Sequence, residues 1–119
     1  MEETQGDRQL FDGWMAAVSA GDRAAFACLY DRLKAPVYGL LSILRVRDDA
    51  EDVMQNTFLR VWDCAGQYRP GTDARAWVLK ITRNLALMLL RTRRRSAELG
   101  DWAESLTGSD EAAPVLDRL

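Results

Sequence analysis

Residues 77–95 read WVLKITRNLALMLLRTRRR, with six basic side chains and no acid, in a chain of 119 residues whose formal net charge is only −2. Placed on a helix, Trp77, Val78, Ile81, Leu85, Met88 and Leu89 recur at helical spacing and form one apolar face. Lys80, Arg83, Asn84, Leu87 and Arg91 fall on the other side. Such a surface suits a polyanion, because Lys and Arg neutralise phosphates while Asn can hydrogen-bond a base edge. The plainer alternative is a solvated amphipathic helix whose terminal basic cluster complements its own dipole.

The charge is distributed unevenly. It runs −3 over residues 1–20, 0 over 21–76, +6 over 77–95 and −5 over 96–119. The small net charge therefore does not argue against a nucleic-acid partner. With 48% apolar residues, the chain can build one core, and the ends, 1–6 and 97–119, read as peripheral. The organisation expected is a helical domain over 1–96 followed by an acidic linker or tail over 97–119. No apolar run approaches the roughly 20 residues needed to span a bilayer, and the N-terminus lacks signal-peptide character. A soluble, cytoplasmic protein without membrane insertion is expected.

Cys28 and Cys64 lack the paired spacing of a zinc or redox site and read as reduced core thiols. The chain contains no histidine, which removes imidazole ligation and the usual general base near neutral pH. No cofactor, metal site or catalytic residue is assigned.

Upstream, Leu10, Phe11, Trp14, Met15 and Val18 mark a helix over 7–20 that stops at Gly21, and Asp22 is a good N-cap for the next. Phe26, Leu29, Tyr30, Leu33, Val37, Leu40, Leu41 and Leu44 continue a second, long helix, with a kink expected near Lys34 to Pro36. Asp48 and Glu51 have capping-box spacing and open a third helix. Its inner stripe is Ala50, Val53, Met54, Thr57, Phe58, Val61 and Trp62, which leaves Asp52, Gln55, Asn56, Leu59, Arg60 and Asp63 outward. The segment AGQYRPGTDA, with its Pro-Gly turn signal, is a loop leading into the basic helix. Beyond Ser96 only Leu99, Trp102 and Leu106 offer an anchor, so a linker or a weakly docked helix is expected. No β alternation, repeat or Gly-rich phosphate loop is present, and the fold class expected is all-α: a compact bundle of about four helices with a partly ordered C-terminal tail.

The ordered strings DDAEDVMQNTFLRVW (48–62), Tyr68 and Arg69 in the loop, AWVLKITRN (76–84) and RTRRR (91–95) closely resemble the extracytoplasmic-function (ECF) type of bacterial RNA polymerase sigma factor. The likeness extends over residues 22–95, with the motifs in the family's order and spacing. It implies region two of such a factor, which binds the β′ clamp helices of the polymerase core and recognises and melts the minus-ten promoter element. Asp52, Gln55, Asn56 and Leu59 match the family's polymerase-binding surface. The loop from Gln67 to Arg75 is similar to the one that captures a flipped base of the nontemplate single strand, so Tyr68, Arg69, Thr72, Asp73 and Arg75 become candidate DNA contacts. Lys80, Arg83 and Asn84 match the basic recognition helix, with Arg91, Arg93, Arg94 and Arg95 expected on phosphates. Tyr68 serves equally as a loop anchor or a base contact, while Trp77 is assigned first to the core.

Two departures qualify the likeness. Family members often carry polar residues where this chain has Leu87 and Met88; Leu87 either meets a thymine methyl or packs against the tail or a regulatory protein. Members also continue into a helix-turn-helix, region four, which residues 1–119 do not include; the expectation is either an isolated domain, which the linker-like composition of 97–119 favours, or a naturally short sigma-like protein, with weak promoter binding in isolation. An alternative class is a sigma-like interaction module held by an anti-sigma factor without productive promoter binding. A further one is a magnesium-dependent prenyl-diphosphate enzyme, since Asp48, Asp49 and Asp52 spell Asp-Asp-x-x-Asp; the short chain and the lack of a second acidic motif oppose it.

Overall fold

The computed structural model describes residues 5–99, which form four α-helices and one short 3-10 turn. Helix α1 spans Gln5–Ser19, α2 Arg23–Ile43, α3 Ala50–Cys64 and α4 Ala74–Leu99, with the 3-10 turn at Ala65–Gln67. The chain is all-α, as its periodicity predicts. Trp102 and Leu106, the remaining expected tail anchors, lie outside the described residues.

The helix ends follow from local chemistry. At the end of α1, Gly21 has φ +93°, its N–H donates to the Val18 carbonyl at 2.8 Å, and the Asp22 N–H donates to Ala17 at 3.0 Å. This is the left-handed closure for which glycine is suited. Asp22 then caps α2, its Oδ1 accepting from Ala24 N at 2.9 Å and Ala25 N at 3.2 Å. At the far end of α2 the same closure recurs with Arg45 at φ +66°, while Val46 N donates to Leu41 O at 2.9 Å. An arginine there gives up backbone energy, and the Val46 that follows it is buried in the core. Between these ends α2 is assigned as one helix through Pro36. The proline leaves the Arg32 carbonyl without its usual donor.

The core is a single cluster built from every helix. Leu29, Leu33, Val37 and Leu41 of α2 are fully enclosed, together with Met15 of α1, Val61 of α3 and Val78 of α4. The buried line of α2 advances by fours from Ala25, so it is rotated from the stripe expected from sequence. Tyr30 consequently emerges at the surface, and Cys28, expected in the core, is exposed. Cys28 stands one residue, about 100°, from Leu29, beyond the reach of the helices that cover that line. Arg32 helps seat α1 on α2, lying 5.6 Å from the Phe11 ring, 5.9 Å from the Trp14 ring and 3.5 Å from Asp7.

Where α3 meets α4, two buried threonines replace hydrocarbon. Thr57 Oγ1 and Thr82 Oγ1 stand 3.1 Å apart, and Thr82 Oγ1 donates to the Val78 carbonyl at 3.2 Å. That proton assignment makes Thr57 the donor to Thr82, so both hydroxyl protons are satisfied.

Candidate nucleic-acid and partner interface

α4 begins at Ala74, earlier than its apolar stripe suggests, because Asp73 caps it: Asp73 Oδ1 accepts from Ala76 N at 3.2 Å and its carbonyl accepts from Trp77 N at 2.9 Å. It also runs through Ser96 to Leu99, across the expected boundary of the tail. Val78, Thr82, Leu85 and Ala86 face inward, and Lys80, Arg83, Asn84 and Arg91 are exposed on the other side. Trp77 is half-buried against the core, and Leu87 is also half-buried. Among the described residues, none offers Lys80, Arg83 or Arg91 a carboxylate within ion-pair distance. Arg93 is different: its guanidinium bonds the Asp49 carboxylate at the start of α3.

That contact changes the reading of the acidic cluster. Asp49, not Asp48, stands at the N-cap of α3, and its side chain makes no capping bond. Its carboxylate is taken by Arg93 instead, while Glu51 and Asp52 remain in the first turn, where the helix dipole favours acids. Among the described residues no group of three or more His, Cys, Asp or Glu is placed to hold a metal ion. The Asp-Asp-x-x-Asp spacing therefore does not assemble into a magnesium site here.

On the outer face of α3, Asp52, Gln55, Asn56, Leu59 and Asp63 are exposed as expected, Leu59 by 58%, whereas Arg60 is half-buried. This face is also one wall of a groove of about 820 Å³ between α2 and α3. Tyr30, Lys34 and Tyr38 form the opposite wall, and Phe26, Met54 and Phe58 also line it. The aromatic rings support one another edge to face, with Tyr30 and Phe58 centroids 4.9 Å apart and Phe26 and Trp62 5.3 Å apart. Tyr30, Lys34 and Tyr38 recur at steps of four along α2; of the three, only Tyr30 belongs to the stripe expected in the core.

The loop before α4 is a built turn. Pro70 and Gly71 occupy its middle, Gly71 at φ +91°, and Arg69 O accepts from Thr72 N at 3.3 Å and from Thr72 Oγ1 at 2.6 Å. Proline followed by a residue at positive φ is the pattern of a type II turn. Arg69, Thr72 and Arg75 are exposed. Tyr68 is not: it is only 6% exposed, its ring lies 5.6 Å from that of Trp77, and its Oη donates to Asp12 Oδ1 at 2.6 Å. Of its two sequence readings, this geometry makes it the loop anchor. Burial pushes the Tyr68 phenol above its ordinary value, and donation to the Asp12 carboxylate acts in the same direction. Asp73 is half-buried and occupied by its cap and by Arg8, 3.5 Å away. The loop thus offers Arg69, Thr72 and Arg75 outward while Tyr68 and Asp73 hold it. Asp12, on α1, was not foreseen, since no local pattern signals a contact with residues 56 and 59 positions away.

Residues 29–96 match the family model described as Sigma-70 region 2. Among curated proteins, the chain is similar to the ECF RNA polymerase sigma factor SigK of Mycobacterium sp. (strain KMS), 34% identical over 110 residues, covering 91% of this chain and 55% of that protein. The protein of the same name from Mycolicibacterium vanbaalenii is 32% identical over 110 residues, 91% of this chain and 54% of its own length. That from Mycobacterium tuberculosis (strain CDC 1551 / Oshkosh) is 32% identical over 108 residues, 89% of this chain and 56% of its own. The chain spans about half the length of the curated relatives it matches. No solved structure gives a significant match.

Proposed function

The chain belongs to the Sigma-70 region 2 family, and from that premise we propose that it docks on the RNA polymerase core and recognises and melts the minus-ten promoter element. The observation that carries this reading is the pair of outward faces on two helices locked together by Thr57 and Thr82. One presents Asp52, Gln55, Asn56 and Leu59; the other presents Lys80, Arg83, Asn84 and Arg91. Each face lies opposite its helix's buried stripe, so two partners of different chemistry can be held together.

In this proposal the α3 face meets the β′ clamp helices, with exposed Leu59 as its apolar contact. The α4 face receives the nontemplate strand. Melting costs a few kcal/mol for each base extruded, so the protein must bind the single strand better than the duplex. Lys80, Arg83 and Arg91 supply sequence-tolerant attraction to phosphates, and Asn84 supplies an amide able to read a base edge. Arg69, Thr72 and Arg75 border the captured base. No covalent chemistry is assigned to any residue. The site of action is the cytoplasm, where polymerase and promoter meet; among the described residues no helix is long and apolar enough to cross a membrane.

A second reading follows from the groove. Tyr30, Tyr38 and Leu59 place exposed apolar surface beside the acids of α3, and an anti-sigma factor seated there would exclude polymerase. The deciding experiment is selection from randomised minus-ten single strands, with and without polymerase core. Sequence enrichment that depends on Lys80 and Asn84, together with capture of core, is expected. Failure to associate with core would overturn the initiation role and leave the interaction-module reading.

A further inference from the structure

We propose that Asp12 of α1 is the positioning residue of the loop before α4, and that it sets the loop's ability to discriminate an extruded base. This rests on the proposed promoter role of the loop.

The turn formed by residues 69–72 is exposed at every position, so contacts within it leave its placement on the domain undetermined. Asp12 supplies that placement with both carboxylate oxygens. Oδ1 accepts from Tyr68 Oη at 2.6 Å, and Oδ2 accepts from Gly71 N at 2.9 Å. One bond holds the residue entering the turn and the other holds the turn's own backbone. Gly71 N–H is thereby directed to α1 at the position where positive φ turns the chain. One helical turn earlier on the same face, Arg8 lies 3.5 Å from Asp73, the cap of α4. α1 therefore grips the segment where it leaves Tyr68 and again where it enters the basic helix.

These are charge-assisted bonds, stronger than neutral ones, and they fix a short loop before any ligand arrives. A loop already in its binding geometry loses less conformational freedom on capturing a base. The role is geometric: through Tyr68 and Gly71, Asp12 fixes the turn that carries Arg69 and Thr72 and leads to Arg75.

The test compares Asp12→Ala, Asp12→Asn and Tyr68→Phe in the full chain. The readout is binding to a minus-ten single strand and to the same strand with an abasic site at each position in turn. The wild type is expected to distinguish intact from abasic strand at one position. Asp12→Ala should reduce that contrast by roughly ten-fold, the scale expected for losing a hydrogen bond to a charged group, while polymerase-core binding and the salt dependence of strand binding stay unchanged. Asp12→Asn should retain most of the contrast, because its amide can accept from Gly71 N and donate to the Tyr68 phenol. Tyr68→Phe should give a smaller loss in the same direction. Amide hydrogen exchange at Gly71 should accelerate in Asp12→Ala but not at Val78 or Leu85. Unchanged contrast and unchanged Gly71 exchange in Asp12→Ala would overturn the inference. So would a parallel loss of core binding, which would assign the effect to the fold. A wild type blind to abasic sites would refute the promoter role of the loop, while Gly71 exchange would still decide whether Asp12 fixes it.

Discussion

α3 and α4 are joined hydroxyl to hydroxyl through Thr57 and Thr82, and each turns a buried, largely apolar stripe inward, yet their outer faces carry opposite chemistry. Asp52, Gln55, Asn56 and Leu59 lie outward on one, Lys80, Arg83, Asn84 and Arg91 on the other. Packing accounts for the likeness of the inner faces and does not require the difference between the outer ones. The basic cluster Arg91, Arg93, Arg94 and Arg95 places like charges three and four residues apart, which disfavours the isolated helix. Only Arg93 gains a carboxylate among the described residues, at Asp49. In the proposed reading, that uncompensated positive charge serves the strand.

Breaking what the helices share should affect both faces together. Phe58 is 4% exposed and makes ring contacts with both Phe26 and Tyr30 of α2, so Phe58→Ala should destabilise the domain by about 3–5 kcal/mol. Denaturant unfolding would measure this, and core and strand binding should decline in step. Selective loss of one activity would show that the faces are not held by a common core.

Thr82→Val is milder and more specific. It leaves the buried Thr57 hydroxyl without its acceptor, at a cost of about 1–3 kcal/mol. The double variant Thr57→Val with Thr82→Val should recover most of that stability in the same denaturation assay. Additive losses would show that the hydroxyl pair does not act as a unit.

Substitutions on the outer faces should separate what the core variants join. Arg83→Ala should weaken minus-ten strand binding and lower the slope of log affinity against log salt by about 0.7, the value for one phosphate on a single strand. Gln55→Ala should weaken core capture and leave strand binding intact. An unchanged salt slope would remove Arg83 from the contact, and loss of both activities in Gln55→Ala would indicate misfolding.

The smallest effect concerns the loop that links the two helices. Tyr68 holds its proton above the ordinary 10.0, chiefly through burial. Because the folded value is raised, the stabilisation is complete below pH 10.0 and is lost as pH rises through the folded value. Phenolate absorbance of the wild type minus that of Tyr68→Phe should therefore place this ionisation above 10.0. Titration at or below it would contradict the buried bond to Asp12.

Much of this was legible in the chain. The two faces of α3 follow from its periodicity alone, because the helix repeat and the order of apolar residues leave one consistent assignment. The Gly21 stop and the Asp22 cap are equally local. Reading α2 was harder, since Leu29, Leu33, Val37 and Leu41 share the helix with other apolar residues, and only the neighbouring helices select which are covered. Cys28 and Tyr30 are exposed for that reason.

The site divides in the same way. Lys80, Arg83 and Asn84 stand outward as their spacing requires, because an amphipathic helix has one face free once the other is buried. The sequence by itself determined the all-α class, the helix order and the sign of charge on each outer surface, all set by interactions within a few residues. Only the tertiary structure decided that Tyr68 anchors its loop, that Arg93 takes Asp49, and that Asp12 holds Tyr68 and Gly71. Those bonds join residues 44 to 59 positions apart, and their partners meet only when burial of the shared core has brought the helices together.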